Sequence, residues 1–201
     1  MSGALFIDRD GTLIADAHYL SDASRVRLLP RSVEAVQLAN AAGVPVYIVT
    51  NQSGIARGLI TEAEYEATRV RTETLLADAG APVAGTYHCP HWPDVSGPCD
   101  CRKPGIGLYR QAATAHALDL ASSAYIGDRW RDVAPALEGG GIGILVPGIE
   151  TPATDVEQTR SALSARIHIA DNLVDAVRLA LAFIAPQSGA SDAPPSSSDR
   201  S

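Results

Sequence analysis

Short apolar runs alternate with longer amphipathic stretches along residues 1–185. The apolar runs fall at Ala4–Ile7, Val44–Val49, Val83–His88, Ala124–Ile126, Ile142–Val146 and Arg166–Ile169. Runs this short, bounded by Gly, Asp or Asn, predict strands buried on both faces. Between them the pattern predicts helices over Ser32–Ala42, stopping at Gly43, and from Thr61 to about Ala79, before Gly80. Glu64 follows Thr61 at the spacing of a capping box. Further helices are predicted over Gly107–Ala117, Asp132–Glu138 and Asn172–Ile184, with Asp171 as the N-cap of the last. Such alternation predicts an α/β architecture, a doubly wound parallel sheet in three layers with helices on both sides.

Two segments break the rhythm. Residues 88–107 hold four prolines and all three cysteines, too short a stretch for a second domain, and read as a loop insertion held by something other than a core. Residues 187–201 are Ser, Pro, Asp, Ala and Gly-rich without a large apolar side chain, and read as a disordered tail. The expectation is one domain over residues 1–186, with no large cap domain.

Composition sharpens this. With 46% hydrophobic and 19% charged residues the 201-residue chain can bury a substantial core. A formal charge of −7 argues against a nucleic-acid partner. No apolar run approaches the ~18 residues of a membrane span, and Asp8 arrives too early for a signal-peptide core. The expectation is a soluble, cytoplasmic protein, and the short loops favour a monomer with an open site.

The chemistry gathers where strands end. The first strand delivers Asp8 and Asp10, followed by Gly11-Thr12. Paired carboxylates repel unless a cation or a shared proton compensates; with a divalent ion one can be a nucleophile while the other handles protons. A bare Asp-x-Asp reads first as a capped strand end with two solvated aspartates; the flanking strand and the Gly-Thr pair turn the reading toward chemistry. The second strand ends in Thr50-Asn51-Gln52-Ser53-Gly54, donors suited to phosphate oxygens or to a helix N-cap. Gly127-Asp128 ends the fourth, with Asp132 four residues on, and Lys103-Pro104 closes the insertion. In an open parallel sheet, ligands sit outside these carboxyl ends.

As an ordered set, Asp8-x-Asp10-Gly-Thr, Thr50-Asn51, Lys103-Pro104 and Gly127-Asp128 with Asp132 resemble the motifs of the haloacid dehalogenase (HAD) superfamily of phosphohydrolases. The resemblance spans roughly residues 4–147. It implies a HAD-like, Rossmannoid fold in which Asp8 attacks phosphorus to give an aspartyl-phosphate. Asp10 would protonate the leaving alcohol and then activate water, and Thr50 and Lys103 would hold the phosphoryl oxygens. Asp8, the Asp10 carbonyl and Asp128 would bind Mg²⁺.

The insertion carries Cys89-x-His91-x7-Cys99-x-Cys101, four ligands of the kind Zn²⁺ takes in closed structural sites. Reduced, unliganded cysteines or a redox pair are the other readings. Zinc there would fix where Arg102 and Lys103 point. This loop before Arg-Lys-Pro, with Thr50–Gly58, resembles the D-glycero-D-manno-heptose 1,7-bisphosphate 7-phosphatases, relatives of the histidinol-phosphatase domain. The resemblance implies a sugar bisphosphate substrate contacted by Asp16, Ala17, His18, Tyr19, Thr50, Asn51, Gln52, Ser53, Arg102, Lys103 and Arg129. Arg102 suits the second phosphate, since a guanidinium grips it bidentately. The chain departs from the family in its short His91–Cys99 span, in Arg129 where Lys is common, and in Trp130-Arg131. Histidinol phosphate is the alternative substrate, and a non-catalytic zinc-binding interaction protein is the alternative of another class. His88 and His116 read as packing or surface residues; Trp92 covers the metal or meets substrate, and Arg57 touches phosphate or caps a helix.

Overall fold

The computed structural model describes residues 2–185; the expected tail over 187–201 lies outside the described residues. Among the described residues six strands, β1 (Leu5–Ile7), β2 (Val46–Asn51), β3 (Gly85–Cys89), β4 (Ala124–Gly127), β5 (Ile142–Leu145) and β6 (Ile167–Ile169), form one sheet. Their order is β3-β2-β1-β4-β5-β6 and every pairing is parallel. The chain returns across β1 to add β4, so the sheet's switch point lies at β1, where a ligand crevice is expected.

Alternation along the strands sorts side chains into two cores. Leu5, Ile7, Ile48, Ile126 and Ile144 face one side, together with Ala35, Val36 and Ala39 of α1 (Ser32–Ala41) and Val174, Val177 and Ala180 of α8 (Leu173–Ile184). Phe6, Tyr47, Val49 and Tyr125 face the other, against Leu108, Tyr109 and Ala112 of α4 (Gly107–His116). Phe6 stacks on Tyr125 with centroids 5.6 Å apart and meets Tyr109 edge-on at 5.1 Å, the offset and T-shaped geometries that ring quadrupoles favour.

The expected three-layer fold is present, with local differences. β3 and β6 lie at the sheet edges and are only partly buried, not buried on both faces. The helix α2 (Glu62–Asp78) begins as expected: the Thr61 hydroxyl accepts from the Glu64 amide at 3.2 Å, and the Thr61 amide donates to the Glu64 carboxylate at 2.7 Å. α8 is capped by Asn172, whose Oδ1 accepts from the Asp175 amide at 3.1 Å, and not by Asp171. The helix expected over Asp132–Glu138 is two short ones, α5 (Trp130–Val133) and α6 (Pro135–Gly139), because Pro135 has no amide to continue the first ladder. A four-residue α3 (Pro93–Ser96) lies inside the insertion, and α7 (Ala153–Ser161) was not anticipated. Among the described residues no helix is long and apolar enough to cross a membrane.

Candidate active site

β1 ends at Ile7, and the chain turns at once. The Asp8 amide donates to the Ile126 carbonyl at 2.9 Å, fixing Asp8 beside the end of β4. Gly11 has φ +83°, and a Cβ there would stand 2.7 Å from an Asp128 carboxylate oxygen. Glycine is thus required twice, for the left-handed backbone and for the close approach of the two strand ends.

Lys103 completes the centre. Its side chain is buried, and Nζ donates to Asp8 Oδ1 at 2.6 Å and to the Val49 carbonyl at 2.7 Å, while pairing with Asp132 Oδ1 at 2.7 Å. Burial works against the ammonium, but Asp132 and Asp8 more than offset it, so its pKa stands above the ordinary lysine value. Asn51 holds Lys103 from behind: its side-chain amide donates to the Lys103 carbonyl at 3.1 Å and its Oδ1 accepts the Lys103 amide at 3.0 Å. The end of β2 is thereby clamped to the insertion.

Asp8, Asp128 and Asp132 form a buried triad with oxygens within 4.8 Å of one another. Burial raises the Asp8 carboxyl to about 6, against the pull of Lys103 and with a push from Asp132 and Asp10. Burial likewise raises Asp128 to about 7, helped by repulsion from Asp8 and Asp132. Asp128 Oδ1 is buried without a hydrogen-bond partner. A cluster of hard oxygens holding an orphaned carboxylate suits a small divalent cation.

Asp10 lies on the cleft side. Arg9 donates to it from Nε at 3.0 Å and from Nη2 at 3.1 Å, Gln52 Nε2 at 2.9 Å and the Thr50 hydroxyl at 3.4 Å. Arg9 is itself buried, over the Tyr65 ring at 5.4 Å and donating to Thr68 at 3.2 Å. The nucleophile loop is therefore tied to α2.

A cleft of about 290 Å³ opens beside this centre. Of the residues expected to contact substrate, Asp16, His18, Tyr19, Asn51, Gln52, Ser53 and Arg102 line it. Thr50 and Lys103 are buried beneath, at Asp10 and Asp8. Two do not fit the expectation. Ala17 packs its methyl against the apolar core, as a small apolar side chain should. Arg129 is drawn away from the cleft by Asp155 of α7, at 2.8 Å from Nε, and Arg131 lines the cleft instead. Trp92 also lines it, with the guanidinium groups of Arg57 and Arg102 over its ring at 5.3 and 5.0 Å from the ring centre.

The insertion brings Cys89, His91, Cys99 and Cys101 together. Cys89 Sγ lies 3.7 Å from Cys99 Sγ and 3.7 Å from His91 Nδ1, and Cys101 Sγ is 3.1 Å from both Cys89 Sγ and His91 Nδ1. A tetrahedral site with metal–sulfur bonds of ~2.3 Å has edges of ~3.8 Å, so two of these contacts already match and two are tighter. The thiols are free rather than disulfide-bonded. Burial and the neighbouring thiols push Cys101 far above the ordinary thiol value, a penalty on the thiolate that a cation would reverse.

Comparison with known proteins agrees with this geometry. A HAD-hydrolase-like family model matches residues 100–176. The D-glycero-β-D-manno-heptose-1,7-bisphosphate 7-phosphatase of Yersinia pestis is 37% identical over 139 residues, which are 67% of this chain and 74% of that protein. The enzyme of the same name from Pasteurella multocida is 38% identical over 137 residues, 66% of this chain and 74% of its own. The chain belongs to the heptose-bisphosphate 7-phosphatase family of HAD-like hydrolases. In the same family, the crystal structure of D,D-heptose 1,7-bisphosphate phosphatase from B. bronchiseptica, complexed with magnesium and phosphate, superposes with a TM-score of 0.78 at 30% identity. The match covers 90% of this chain and 98% of that one.

Sequence reasoning left out several residues of the site. Asp132 was visible as the second acid of the Asp128 motif, one helical turn on, but had no assigned role. Arg9 had no assigned role and Arg131 stood only as a departure from the family pattern, because only tertiary packing turns them toward Asp10 and the cleft. Asp155 gave no signal, since its helix lacks an apolar stripe.

Proposed function

We propose that this protein is a Mg²⁺-dependent phosphomonoesterase that removes the 7-phosphate of D-glycero-D-manno-heptose 1,7-bisphosphate. The observation that carries the reading is the buried Asp8 carboxylate held by Lys103 at 2.6 Å, beside a cleft lined by Asp10, Arg9, Arg102 and Arg131. The family membership above selects the substrate class. Asp8, the Asp10 carbonyl and Asp128 would hold Mg²⁺, with Asp132 completing the acidic cluster, and the ion would supply charge neutralisation for the carboxylates and for the phosphoryl oxygens when bound.

In this reading an Asp8 oxygen attacks phosphorus in line with the ester oxygen, forming a carboxyl–phosphorus bond as the ester phosphorus–oxygen bond breaks. Asp10 gives its proton to the departing alkoxide, then takes one from the water that attacks the aspartyl-phosphate and releases inorganic phosphate. Arg9 and Gln52 orient Asp10 for both transfers. Lys103 and Thr50 face the equatorial oxygens, where phosphoryl transfer asks for positioning and charge compensation. The thiols of Cys89, Cys99 and Cys101 with His91 would hold a structural Zn²⁺, anchoring the segment that presents Arg102 and Lys103.

Purified protein with Mg²⁺ is to be assayed for phosphate release from the heptose bisphosphate and from histidinol phosphate. A higher kcat/KM on the heptose ester is expected. A higher value on histidinol phosphate would overturn the substrate, and equal activity in Asp8→Asn protein would overturn the mechanism.

A further inference from the structure

We infer that Arg131, acting with Arg102, clamps the second, untransferred phosphate of the substrate and so sets the preference for bisphosphates. The inference rests on the phosphatase reading above and deepens it. The sequence resemblance assigns substrate contact to Arg129. The fold withdraws that residue: its Nε is bound to Asp155 at 2.8 Å, its amide donates to Asp132 Oδ2 at 3.0 Å, and the Trp130 amide reinforces Asp155 at 3.2 Å. The guanidinium that α5 turns into the cleft is Arg131.

Arg131 is incompletely satisfied where it stands. Its Nε is buried without a hydrogen-bond partner, and its ion pair with Asp132 Oδ1 is loose, at 3.9 Å. That oxygen is already held by Lys103 at 2.7 Å. Arg102 lines the same cleft from the insertion, steadied by a hydrogen bond from Nη1 to the His91 carbonyl at 3.2 Å and by stacking on Trp92 at 5.0 Å. The two like charges are close enough to act on one another: burial lowers the Arg102 pKa, and Arg131 lowers it further. Two guanidinium groups lining one cleft, one with a buried donor unused, are built for a dianion with several acceptor oxygens. The transferred phosphoryl group is served by Lys103, beside Asp8. The surplus cations therefore belong to the other end of the substrate.

The test separates the two phosphates and does not need turnover. Asp8→Asn protein in Mg²⁺, with and without Arg131→Met or Arg131→Lys, is titrated by calorimetry with two ligand pairs. These are the heptose 1,7-bisphosphate against heptose 7-phosphate, and fructose 1,6-bisphosphate against fructose 6-phosphate. Circular dichroism and Tm establish that each variant folds. Arg131→Met should reduce the bisphosphate-over-monophosphate affinity ratio by about tenfold or more, the scale of a lost charge-assisted contact, and Arg131→Lys should restore part of it. In enzyme with Asp8 intact the same loss should appear in KM for the bisphosphate more than in kcat. An unchanged ratio, a parent protein without bisphosphate preference on either pair, or equal weakening of both members of a pair would overturn the clamp. If the ratio depends on Arg131 for the fructose pair while the heptose bisphosphate is neither preferred nor cleaved, the clamp stands and the heptose assignment fails. If the heptose bisphosphate is cleaved but the ratio ignores Arg131, the reverse holds.

Discussion

Replacing Asp128 with Asn should stabilise the metal-free protein while removing its response to Mg²⁺. The wild-type carboxyl is nearly inaccessible at 4% exposure, has one oxygen without a partner, and faces Asp8 and Asp132. Its rise from 3.8 to about 7 corresponds to ~4 kcal/mol against ionisation in the fold. The folded chain binds this proton more tightly than the unfolded chain does. Its contribution to stability is therefore present below pH 3.8 and is lost as pH rises through about 7. At pH 8 the wild-type site carries that cost in full. An amide removes the charge but keeps a buried polar oxygen, so a net gain of about 1–2 kcal/mol is expected after that penalty. For a chain of this size this is a Tm rise of about 3–6 °C. Differential scanning fluorimetry at pH 8 in magnesium-free buffer, without a chelator that strips zinc, measures it. Millimolar Mg²⁺ should then raise the wild-type Tm by mass action and leave the variant unmoved. A variant that melts at or below wild type without Mg²⁺, or that gains as much from the ion, would refute the idea that Asp128 is a strained metal ligand.

Asp8→Asn should lower kcat by at least about 10³-fold, the scale on which nucleophile removal acts, with Tm within a few degrees of wild type because the isostere keeps its place beside Lys103. At limiting Mg²⁺ the ascending limb of kcat/KM should lie near pH 6, where Asp8 loses its proton, and saturating Mg²⁺ should move it lower because cation and proton compete for the same oxygens; a limb that ignores Mg²⁺ would place the titration elsewhere. Cys101→Ser should abolish zinc retention measured by mass spectrometry, lower Tm, and raise KM as the Arg102–Lys103 segment loses its anchor. Wild-type protein purified without chelators and free of zinc would remove the basis for that expectation.

The fold was legible wherever burial dictated the pattern. β1, β2, β4 and β5 are apolar because both faces are covered, and their runs mark them in the sequence. α7 was not legible: Ala153–Ser161 buries only Thr159 and is held by side-chain bonds such as Arg129 to Asp155, which have no periodicity to read. The same contact explains why Arg129 does not line the cleft. Position 129 follows the Asp128 motif, so sequence favours it for the substrate; whether its side chain is free depends on a helix more than 20 residues away that sequence did not reveal. The convergence of Cys89, His91, Cys99 and Cys101 was legible because ligand chemistry constrains residue type and spacing together. The tie from Arg9 to α2, through Thr68 and Tyr65, was not, since an arginine inside a catalytic motif looks the same whether buried or solvated.

The charge arrangement explains how a chain of net charge −7 can take a polyanionic ester. Negative charge at the centre is concentrated on Asp8, Asp128 and Asp132, which are buried and face a shared point. There a divalent cation, together with Lys103, would offset the three negative charges and turn a repulsive cluster into a neutralised centre that phosphate can approach. Positive charge is spread along the cleft on Arg9, Arg57, Arg102 and Arg131, and each comes from a different segment: the nucleophile loop, the turn after β2, the insertion and α5. A long polyanion would meet the acidic remainder of the surface, whereas a small ester fits within the cleft and meets only its cations. Selectivity for small phosphates is on this account a matter of range. At physiological salt, charges beyond ~8 Å are screened, so the ester in the cleft responds to the guanidinium groups beside it and not to the total charge of the chain.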